Sequence, residues 1–336
     1  MNRFAYASAR TIVEAASAAS ATVADAMVGT HDDAAVIKAG GIDLLDLMKE
    51  DLLAPATVVS LGAVPGLIDI AEDDGGVHIG AMVTLAMLGE NMLVRQRYPA
   101  LADAAANSAS PQLRHVATIG GNLLQRPRCW YFRAEVYRCL RKGGGHCFAI
   151  TGENQYHAIF DNQPCAIVHP STAATALVAL GATVELTDGA GALRHLLLED
   201  FFVGPDRDLQ RENDLKPHEI LTSIRLPAPP AGARMAHLKQ GEKDSFDWPL
   251  ADVAVVLALS SEGICVKASI VLGAAAPVPH RAKAAEAALT GRRIDEAAAQ
   301  DAARAALDGA TPLSQNAYKL PLFETLVRRA ILIAGR

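Results

Sequence analysis

Two stretches, "KAGGIDLLD" (residues 38–46) and "ATIGGNLLQ" (residues 117–125), share a pattern that can form a ligand-binding loop. Each places two adjacent glycines after a short strand-like run and before apolar residues. Because glycine has no Cβ, such a loop lets the backbone approach a diphosphate, and its successive N–H groups can bind the anion. A single Gly-Gly pair is more often a tight turn. Together the two loops therefore indicate a nucleotide only weakly.

Several well-known motifs are missing from the sequence. Neither loop is a G-x-G-x-x-G fingerprint, and there is no G-x-x-x-x-G-K-[ST], G-x-S-x-G or H-E-x-x-H. These absences argue against a Rossmann nicotinamide site, a P-loop, and the hydrolase and zinc-protease classes.

Composition and charge argue against further classes of protein. The 336 residues are 51% hydrophobic and 20% charged, with a net charge of -6, which argues against a nucleic-acid partner. No run approaches the roughly 18 consecutive apolar residues of a membrane span. The start, "MNRFAYASARTIVEAASAAS", lacks a continuous apolar segment because Glu14 interrupts it. We expect no signal peptide, and hence a cytoplasmic protein or one exported to the periplasm together with a signal-bearing partner.

Periodicity and turn residues predict an α+β protein. We expect a helix over residues 11–28, a strand over residues 34–41, and a strand that leads into a helix beginning near Thr84. Residues 93–110 are expected to form one helix that stops before Pro111. Later segments alternate between strands and helices, and the last hundred residues begin with strands and end in alanine-rich helices.

The order and spacing of several motifs resemble the FAD-binding subunits of the xanthine dehydrogenase family of molybdenum hydroxylases. The matching stretches are "AGGIDLLDLMK", "IGAMVTL", "ATIGGNLLQ", "HEILTSIRLP", "HLKQGEKDSFDWPLADVAVV" and "IVLGAAAPVPHRAKAAEAAL". The resemblance covers nearly the whole chain. It implies a two-lobed FAD-binding domain of the vanillyl-alcohol-oxidase/xanthine-dehydrogenase type over residues 1–227 and a smaller C-terminal α+β domain over residues 232–336. A proline-rich connector at 228–232 agrees with that boundary.

The resemblance also implies which residues contact FAD. The first loop, the second loop and two further positions supply them: Ala39, Gly40, Gly41, Ile42, Asp43 and Leu44; Thr118, Ile119, Gly120, Gly121 and Asn122; and Leu221 and Lys239. Where family members commonly have Ser-Asp, this chain has Ser171-Thr172. Since threonine brings no charge, we expect FAD to be held less tightly here.

Cysteines concentrate in one segment. Of five, Cys129, Cys139, Cys147 and Cys165 follow the second glycine loop, at intervals C-x9-C-x7-C-x17-C. The odd number and the chain length argue against a disulfide framework. The spacing is too loose for a zinc finger and unlike bacterial ferredoxins. A [4Fe–4S] cluster and a structural zinc site both remain open on the residues alone, since both take four thiolates.

The same segment is rich in basic residues, which would stabilise a negatively charged cluster and favour its reduction. Within residues 126–147 the one acidic residue is Glu135, and the basic residues are Arg126, Arg128, Arg133, Arg138, Arg141 and Lys142.

A subset of the family, the flavin subunits of periplasmic aldehyde oxidoreductase and of 4-hydroxybenzoyl-CoA reductase, carries an additional [4Fe–4S] cluster in an insertion here. This chain resembles the aldehyde oxidoreductase type more. The resemblance implies an iron–sulfur insertion at about 126–168 with Cys129, Cys139, Cys147 and Cys165 as ligands, whereas Cys265 lies in an apolar strand of the core.

Some neighbouring side chains are assigned to the scaffold. His146, His157 and His169 are expected to be structural, and Tyr131 and Phe132 are expected to cover the cluster. Trp248 is expected to be a buried core aromatic, with packing beside the flavin or at a subunit contact as alternatives.

The resemblance implies an electron-transfer subunit with FAD and a [4Fe–4S] cluster and no acid–base residue of its own. Electrons would come from an aldehyde or heterocycle oxidised on a large molybdenum-cofactor subunit, through a small subunit with two [2Fe–2S] clusters, and leave from FAD to an external acceptor. One alternative is a 4-hydroxybenzoyl-CoA reductase-like subunit that takes electrons inward from ferredoxin. Another is a zinc-stabilised, non-redox nucleotide-binding partner protein.

Overall fold

The computed structural model describes residues 1–28, 33–243 and 246–336. Residues 244 and 245, inside one of the stretches that carry the family resemblance, lie outside this description. The described chain builds three sheets, each covered by helices, in an α+β arrangement as predicted.

A small parallel sheet forms the first lobe. Its strand order is β1–β3–β2, and the connections run through helices, as parallel strands require. The lobe's elements are β1 (Ala5–Ser8), α1 (Ile12–Ala18), α2 (Val23–Met27), β2 (Ala35–Lys38), α3 (Ile42–Lys49) and β3 (Thr57–Ser60). Helix α3 buries Leu44, Leu47 and Met48 at helical spacing, and this face packs in one cluster with Phe132 and Cys139 of the cysteine segment.

A five-stranded antiparallel sheet forms the second lobe, in the order β4–β5–β8–β6–β7. Its first part comprises β4 (Ile70–Asp73), β5 (Gly76–Gly80), α4 (Leu85–Glu90), α5 (Met92–Arg97), α6 (Pro99–Ala106), α7 (Pro111–Arg114) and α8 (Ile119–Leu123). The cysteine segment follows, with only short helices: α9 (Trp130–Arg133), a 3-10 turn (Leu140–Lys142) and α10 (Phe148–Thr151). The lobe then closes with α11 (Thr172–Ala179), β6 (Thr183–Asp188), β7 (Leu193–Leu197), α12 (Leu198–Phe201) and β8 (Glu219–Leu226).

The C-terminal part pairs four antiparallel strands, in the order β12–β11–β10–β9, with helices. Its elements are β9 (Ala233–Gln240), β10 (Ala251–Leu259), β11 (Cys265–Gly273), β12 (His280–Arg281), α13 (Lys283–Leu289), α14 (Glu296–Ala305) and α15 (Lys319–Ala334). Helix α15 packs against β9 and β10, and its buried face includes Phe323, Val327 and Ile331.

Two predicted helices are broken. The helix expected over residues 11–28 stops at Ala18, because Thr22 and Asp25 form a capping box that begins a new helix. The helix expected over 93–110 is divided at Tyr98, where Pro99 takes the first position of α6. The helix predicted near Thr84 is confirmed, since the Thr84 side chain caps α4.

No helix in the described parts of the chain is long and apolar enough to cross a membrane.

Candidate functional site

A cavity of about 650 Å³ opens between the first and second lobes. That volume lies within the range of cofactor and small-molecule sites in proteins. Both glycine loops line it, and Leu221 on β8 and Trp248 lie on its wall as well. Two regions that are distant in sequence therefore meet around one space.

The first glycine loop fits its place because it lacks side chains. A Cβ on Gly40 would lie 2.1 Å from the carbonyl oxygen of Val116, so no larger residue fits without moving the second loop. Gly41 has a φ of 82°, in the left-handed region, and begins α3. The first N–H groups of a helix have no intrahelical partner, and here they lie at the cavity. This end of α3 is suited to an anion such as a diphosphate.

The second loop is shaped by a helix cap. Thr118 Oγ1 accepts a hydrogen bond from the Gly121 N–H at 3.2 Å and begins α8. A Cβ on Gly120 would lie 2.9 Å from the Ala81 Cβ, so this glycine is also required by close packing. Asn122 Oδ1 accepts from Ser171 Oγ at 2.5 Å.

The structure brings most of the predicted FAD contacts to the cavity. The residues that line it are Ala39, Gly40, Gly41, Ile42, Asp43, Leu44, Thr118, Gly120, Gly121, Asn122 and Leu221. Ile119 is fully buried in the core of the second lobe. Lys239 is not part of the lining, and its ammonium donates to the Asn107 carbonyl at 2.9 Å. Ser171 and Thr172 also lie outside the lining, and Ser171 caps α11.

Asp43 has a second set of partners. Its carboxylate accepts from the Arg126 backbone N–H at 2.7 Å and pairs with Arg128 at 2.9 Å and Arg133 at 2.6 Å. Asp46, one turn along α3, pairs with the same two side chains, Arg128 and Arg133. Helix α3 is therefore linked at one end to the cavity and along its side to the cysteine segment.

Several cavity residues were not expected from the sequence. Arg126, Arg128, Glu212 and His218 all line the cavity. The basic run "RPR" was assigned to the cysteine segment alone, and nothing local marks Glu212 as its partner.

The prediction that Trp248 lies in the core was wrong. The side chain is not a core aromatic: it is 51% exposed, and the Arg128 guanidinium lies 4.8 Å from its ring centre. Its flanking chain leaves the sheet between β9 and β10, so the ring reaches the cavity rim instead of the interior.

The structure places the four clustered cysteines near one another. Cys129 interacts electrostatically with Cys139 and Cys147, and the Cys165 thiol donates a hydrogen bond to Cys147. Cys265 lies apart, fully buried among the C-terminal core residues, as predicted. His157 Nε2 lies 3.2 Å from Cys129 Sγ. Within the described residues, no three His, Cys, Asp or Glu side chains are arranged to hold a metal ion as they stand.

Backbone N–H groups surround the sulfurs. Burial raises the pKa of Cys129 to about 12, although the N–H groups of Phe132 and Tyr131 lower it. The hydrogen bond from Cys165 lowers the pKa of Cys147 to about 6, and N–H groups of Ala166, Ala149 and Ile150 act in the same direction. The surroundings of Cys147 therefore favour negative charge on its sulfur.

Several aromatic rings of the cysteine segment pack against one another. Tyr131 contacts Tyr137 with ring centres 5.0 Å apart and Phe148 at 5.8 Å, and Trp130 contacts His157 at 5.3 Å. Phe132 is buried below, next to Cys139. Phe132 and Phe148 thus pack in the same cluster as Cys129 and Cys139, and the covering of a cluster by Tyr131 and Phe132 stays a prediction.

Two buried arginines share one carboxylate beside the thiols. Glu212 pairs with Arg126 at 2.8 Å and with Arg141 at 2.5 Å, and the three side chains are exposed by 5%, 2% and 1%. Burial lowers the pKa of Arg126. Burial acts in the same way on Arg141, but Glu212, Cys165 and Cys139 more than offset it, so the pKa of Arg141 is raised.

Comparison with protein families agrees with this geometry. The model of the FAD binding domain in molybdopterin dehydrogenase matches residues 2–229, and the model of the CO dehydrogenase flavoprotein C-terminal domain matches residues 236–334.

Individual relatives point the same way. The chain is 34% identical over 287 residues to the aldehyde oxidoreductase FAD-binding subunit PaoB of Escherichia coli K12, with 84% of this chain and 86% of that protein covered. It is 30% identical to the carbon monoxide dehydrogenase medium chain of Afipia carboxidovorans, with 87% and 86% covered. Among solved structures, reconstituted CO dehydrogenase from Oligotropha carboxidovorans matches with a TM-score of 0.76 at 26% identity, over 99% of this chain and 98% of that one.

Proposed function

The chain belongs to the FAD-binding subunits of the molybdenum hydroxylase family, and on that premise we propose that it is an FAD- and [4Fe–4S]-binding electron-transfer subunit of a molybdenum-dependent oxidoreductase. It would receive electrons from partner subunits and pass them through FAD to an external acceptor. The observation that carries the proposal is the joining, by helix α3, of an FAD-sized cavity to a segment with four gathered cysteines.

The cavity side chains suit FAD in chemistry and in space. The glycines leave room for a close approach of the diphosphate, and the free N–H groups at the start of α3 would bind its charge. Thr118 and Asn122 hold the second loop in place through the Gly121 and Ser171 hydrogen bonds. When bound, FAD supplies the means to collect single electrons and release two. The chain's own residues supply orientation and a largely apolar surrounding.

The cysteine segment suits an iron–sulfur cluster in its donor chemistry. Cys129, Cys139, Cys147 and Cys165 supply four thiols, and backbone N–H groups are directed at sulfur. Arg141 adds a buried cation with nitrogens that complete no hydrogen bond. Thiolate ligands, N–H donors to sulfur and restricted solvent are the features by which proteins hold such clusters and set their potentials.

The partners would be a large molybdenum-cofactor subunit and a small subunit with two [2Fe–2S] clusters. The names of relatives support several subunits, since they include the medium chain of a carbon monoxide dehydrogenase and the medium subunit of nicotine 6-hydroxylase from Paenarthrobacter nicotinovorans. The 34% identity to an aldehyde oxidoreductase subunit favours an aldehyde as the electron source. The substrate would bind to the large subunit.

Flavin reduction tests the proposal that the substrate reacts on the large subunit and that its electrons then reach the FAD of this chain. An aldehyde added without oxygen to the complex of all three subunits should bleach the flavin absorbance. The same aldehyde should leave the flavin of the separately purified chain oxidised, whereas dithionite should reduce both. Direct reduction of the isolated chain by aldehyde, or a complex whose flavin stays oxidised with every aldehyde tried, would contradict the proposal.

A further inference from the structure

The basic residues of the cysteine segment occupy different surroundings. Arg138 is exposed to solvent, and Arg128 and Arg133 pair with Asp43 and Asp46 of helix α3. The positive charges of Arg128 and Arg133 therefore lie next to helix α3 of the first lobe. Arg141 lies buried and interacts with Cys165 and Cys139.

Arg141 is held in place by Glu212 but keeps unused donors. Its Nη1 lies 2.5 Å from Glu212 Oε1 and also donates to the Arg211 carbonyl at 3.4 Å. Its Nε and Nη2 have no hydrogen-bond partner, although the side chain is only 1% exposed. Buried donors without a partner carry a free-energy cost. The Arg141 guanidinium as a whole interacts with the Cys165 thiol.

Glu212 connects this arginine to the cavity. Its Oε2 lies 2.8 Å from Arg126 Nε, and both Glu212 and Arg126 line the cavity. Arg126 and Arg141 together carry one more charge than the Glu212 carboxylate can balance, so this buried set of three side chains has excess positive charge. In such a low-dielectric place, a charge acts on its neighbours far more strongly than at the surface.

We propose that Arg141 is a positioning residue that donates its free N–H groups to the sulfur of Cys165 and thereby raises the reduction potential of the cluster, and that Glu212 fixes it there. This inference rests on the proposed function, because it requires a cluster at the four cysteines. One-electron reduction adds negative charge to an already anionic group. A buried cation and N–H donors at one of its sulfurs favour the reduced form.

A redox titration of the complex, followed by EPR of the reduced cluster, tests the proposal. Arg141→Gln should lower the equilibrium constant of cluster reduction at least tenfold, which is a fall of about 59 mV for a one-electron couple. Arg138→Gln is the matched control, because it removes the same charge next to Cys139 from an exposed position. Its potential should equal that of the wild type. Equal potentials in Arg141→Gln and wild type would overturn the proposal, as would equal falls in both variants.

A conservative variant keeps the test decisive if Arg141→Gln assembles no cluster. Arg141→Lys retains the charge but loses the planar set of donors that spans Glu212 and Cys165. Its potential should lie below that of the wild type, and an unchanged value would overturn the proposal. Wild-type protein without iron would instead mean that the proposed function has failed. Iron-loaded protein with unshifted variants would mean that only this inference has failed.

Discussion

Gly40 lies where the two glycine loops meet, and the space for a side chain there is taken by the carbonyl of Val116. The requirement is steric, because the Cβ of any other residue would lie 2.1 Å from that oxygen. Either loop would have to move, and with it the N–H groups at the start of α3.

Gly40→Ala should therefore weaken FAD binding. Overpacking of this kind costs about 1–3 kcal/mol, which corresponds to roughly a 5- to 150-fold loss of affinity. The measurement is the flavin-to-protein ratio after gel filtration, together with titration of the apoprotein with FAD. Gly145→Ala is the control, since nothing lies within 4 Å of its Cβ position. Full flavin content in Gly40→Ala would show that the loops do not carry the cofactor.

His169 makes a residue-scale prediction about pH. Burial lowers its pKa to about 3, and its Nδ1 accepts the Ser171 N–H at 3.3 Å. Between about pH 6.5 and 3 the unfolded chain binds a proton here that the native protein does not. Stability therefore falls as pH falls, by up to about 1.4 kcal/mol per pH unit.

His169→Asn should remove this contribution. From pH 7 to pH 5, the wild type should lose about 2 kcal/mol more unfolding free energy than the variant. Thermal unfolding at both pH values, with His115→Asn as a variant of an exposed histidine, provides the comparison. Parallel pH profiles for the wild type and His169→Asn would refute the assignment.

The sequence predicted local features at this scale better than distant pairings. The glycine loops could be found because close backbone approach leaves a composition signal. Ile119 and Lys239 show the limit. The direction of Ile119 into the core depends on helix α8, and the contact of Lys239 with Asn107 depends on how β9 packs against α6. Neither is encoded in neighbouring residues.

Helix α3 is the element that joins the cavity to the cysteine segment. Its first turn lies at the cavity, while Asp43 and Asp46 bind Arg128 and Arg133. A shift of helix α3 would therefore change both the cavity and the cysteine segment.

Asp43→Asn should destabilise the fold, because it leaves Arg133, only 9% exposed, without its shortest ion pair. We expect a loss of about 2–4 kcal/mol in unfolding free energy, measured by urea denaturation. Asp301→Asn breaks an ion pair whose side chains are 41% and 53% exposed, and it should cost less than about 1 kcal/mol. Equal effects of the two variants would argue against a structural link through α3.

At the scale of elements, the sequence predicted existence and type but not every boundary. The strand expected over residues 34–41 appears as β2, and the helix expected near Thr84 appears as α4. The single helix over 11–28 was wrong, because the capping box at Thr22 outweighs continuous apolar periodicity. The sequence "TVAD" at residues 22–25 carries the signal of this cap.

At the scale of the whole molecule, the cysteine segment is anchored in the C-terminal part. The Ile159 N–H donates to the Ala275 carbonyl at 2.8 Å, and Ile159 and Phe160 pack in the C-terminal core. Lys319, at the start of α15, is fully buried, and its ammonium donates to the carbonyls of Tyr156, His157 and Ala274. Burial lowers the pKa of Lys319 to about 7.

Lys319→Met should loosen this anchor. Three carbonyls lose a hydrogen-bond donor. Although the variant no longer buries a charge, we expect about 2–4 kcal/mol of destabilisation, measured as unfolding free energy. Lys283→Met changes an exposed lysine of α13 in the same way and should have little effect. A stability equal to the wild type in Lys319→Met would mean that the anchor contributes nothing.

The long-range arrangement was the part that the sequence could not provide. The four cysteines lie in one segment of the sequence and near one another in the structure, while their role as ligands stays a prediction. The family resemblance supplied the order of the lobes. The sharing of Glu212 between Arg126 and Arg141 joins positions 71 or more residues apart. Charge composition alone does not show which arginines lie beside the sulfurs.

The content of FAD, iron, acid-labile sulfide and zinc per chain, in protein purified without oxygen, tests the central claim most directly. The account predicts near one FAD with four iron and four sulfide, as a [4Fe–4S] cluster requires, and no zinc. One zinc with no iron and no flavin would contradict it, and the cysteines would then be a structural brace.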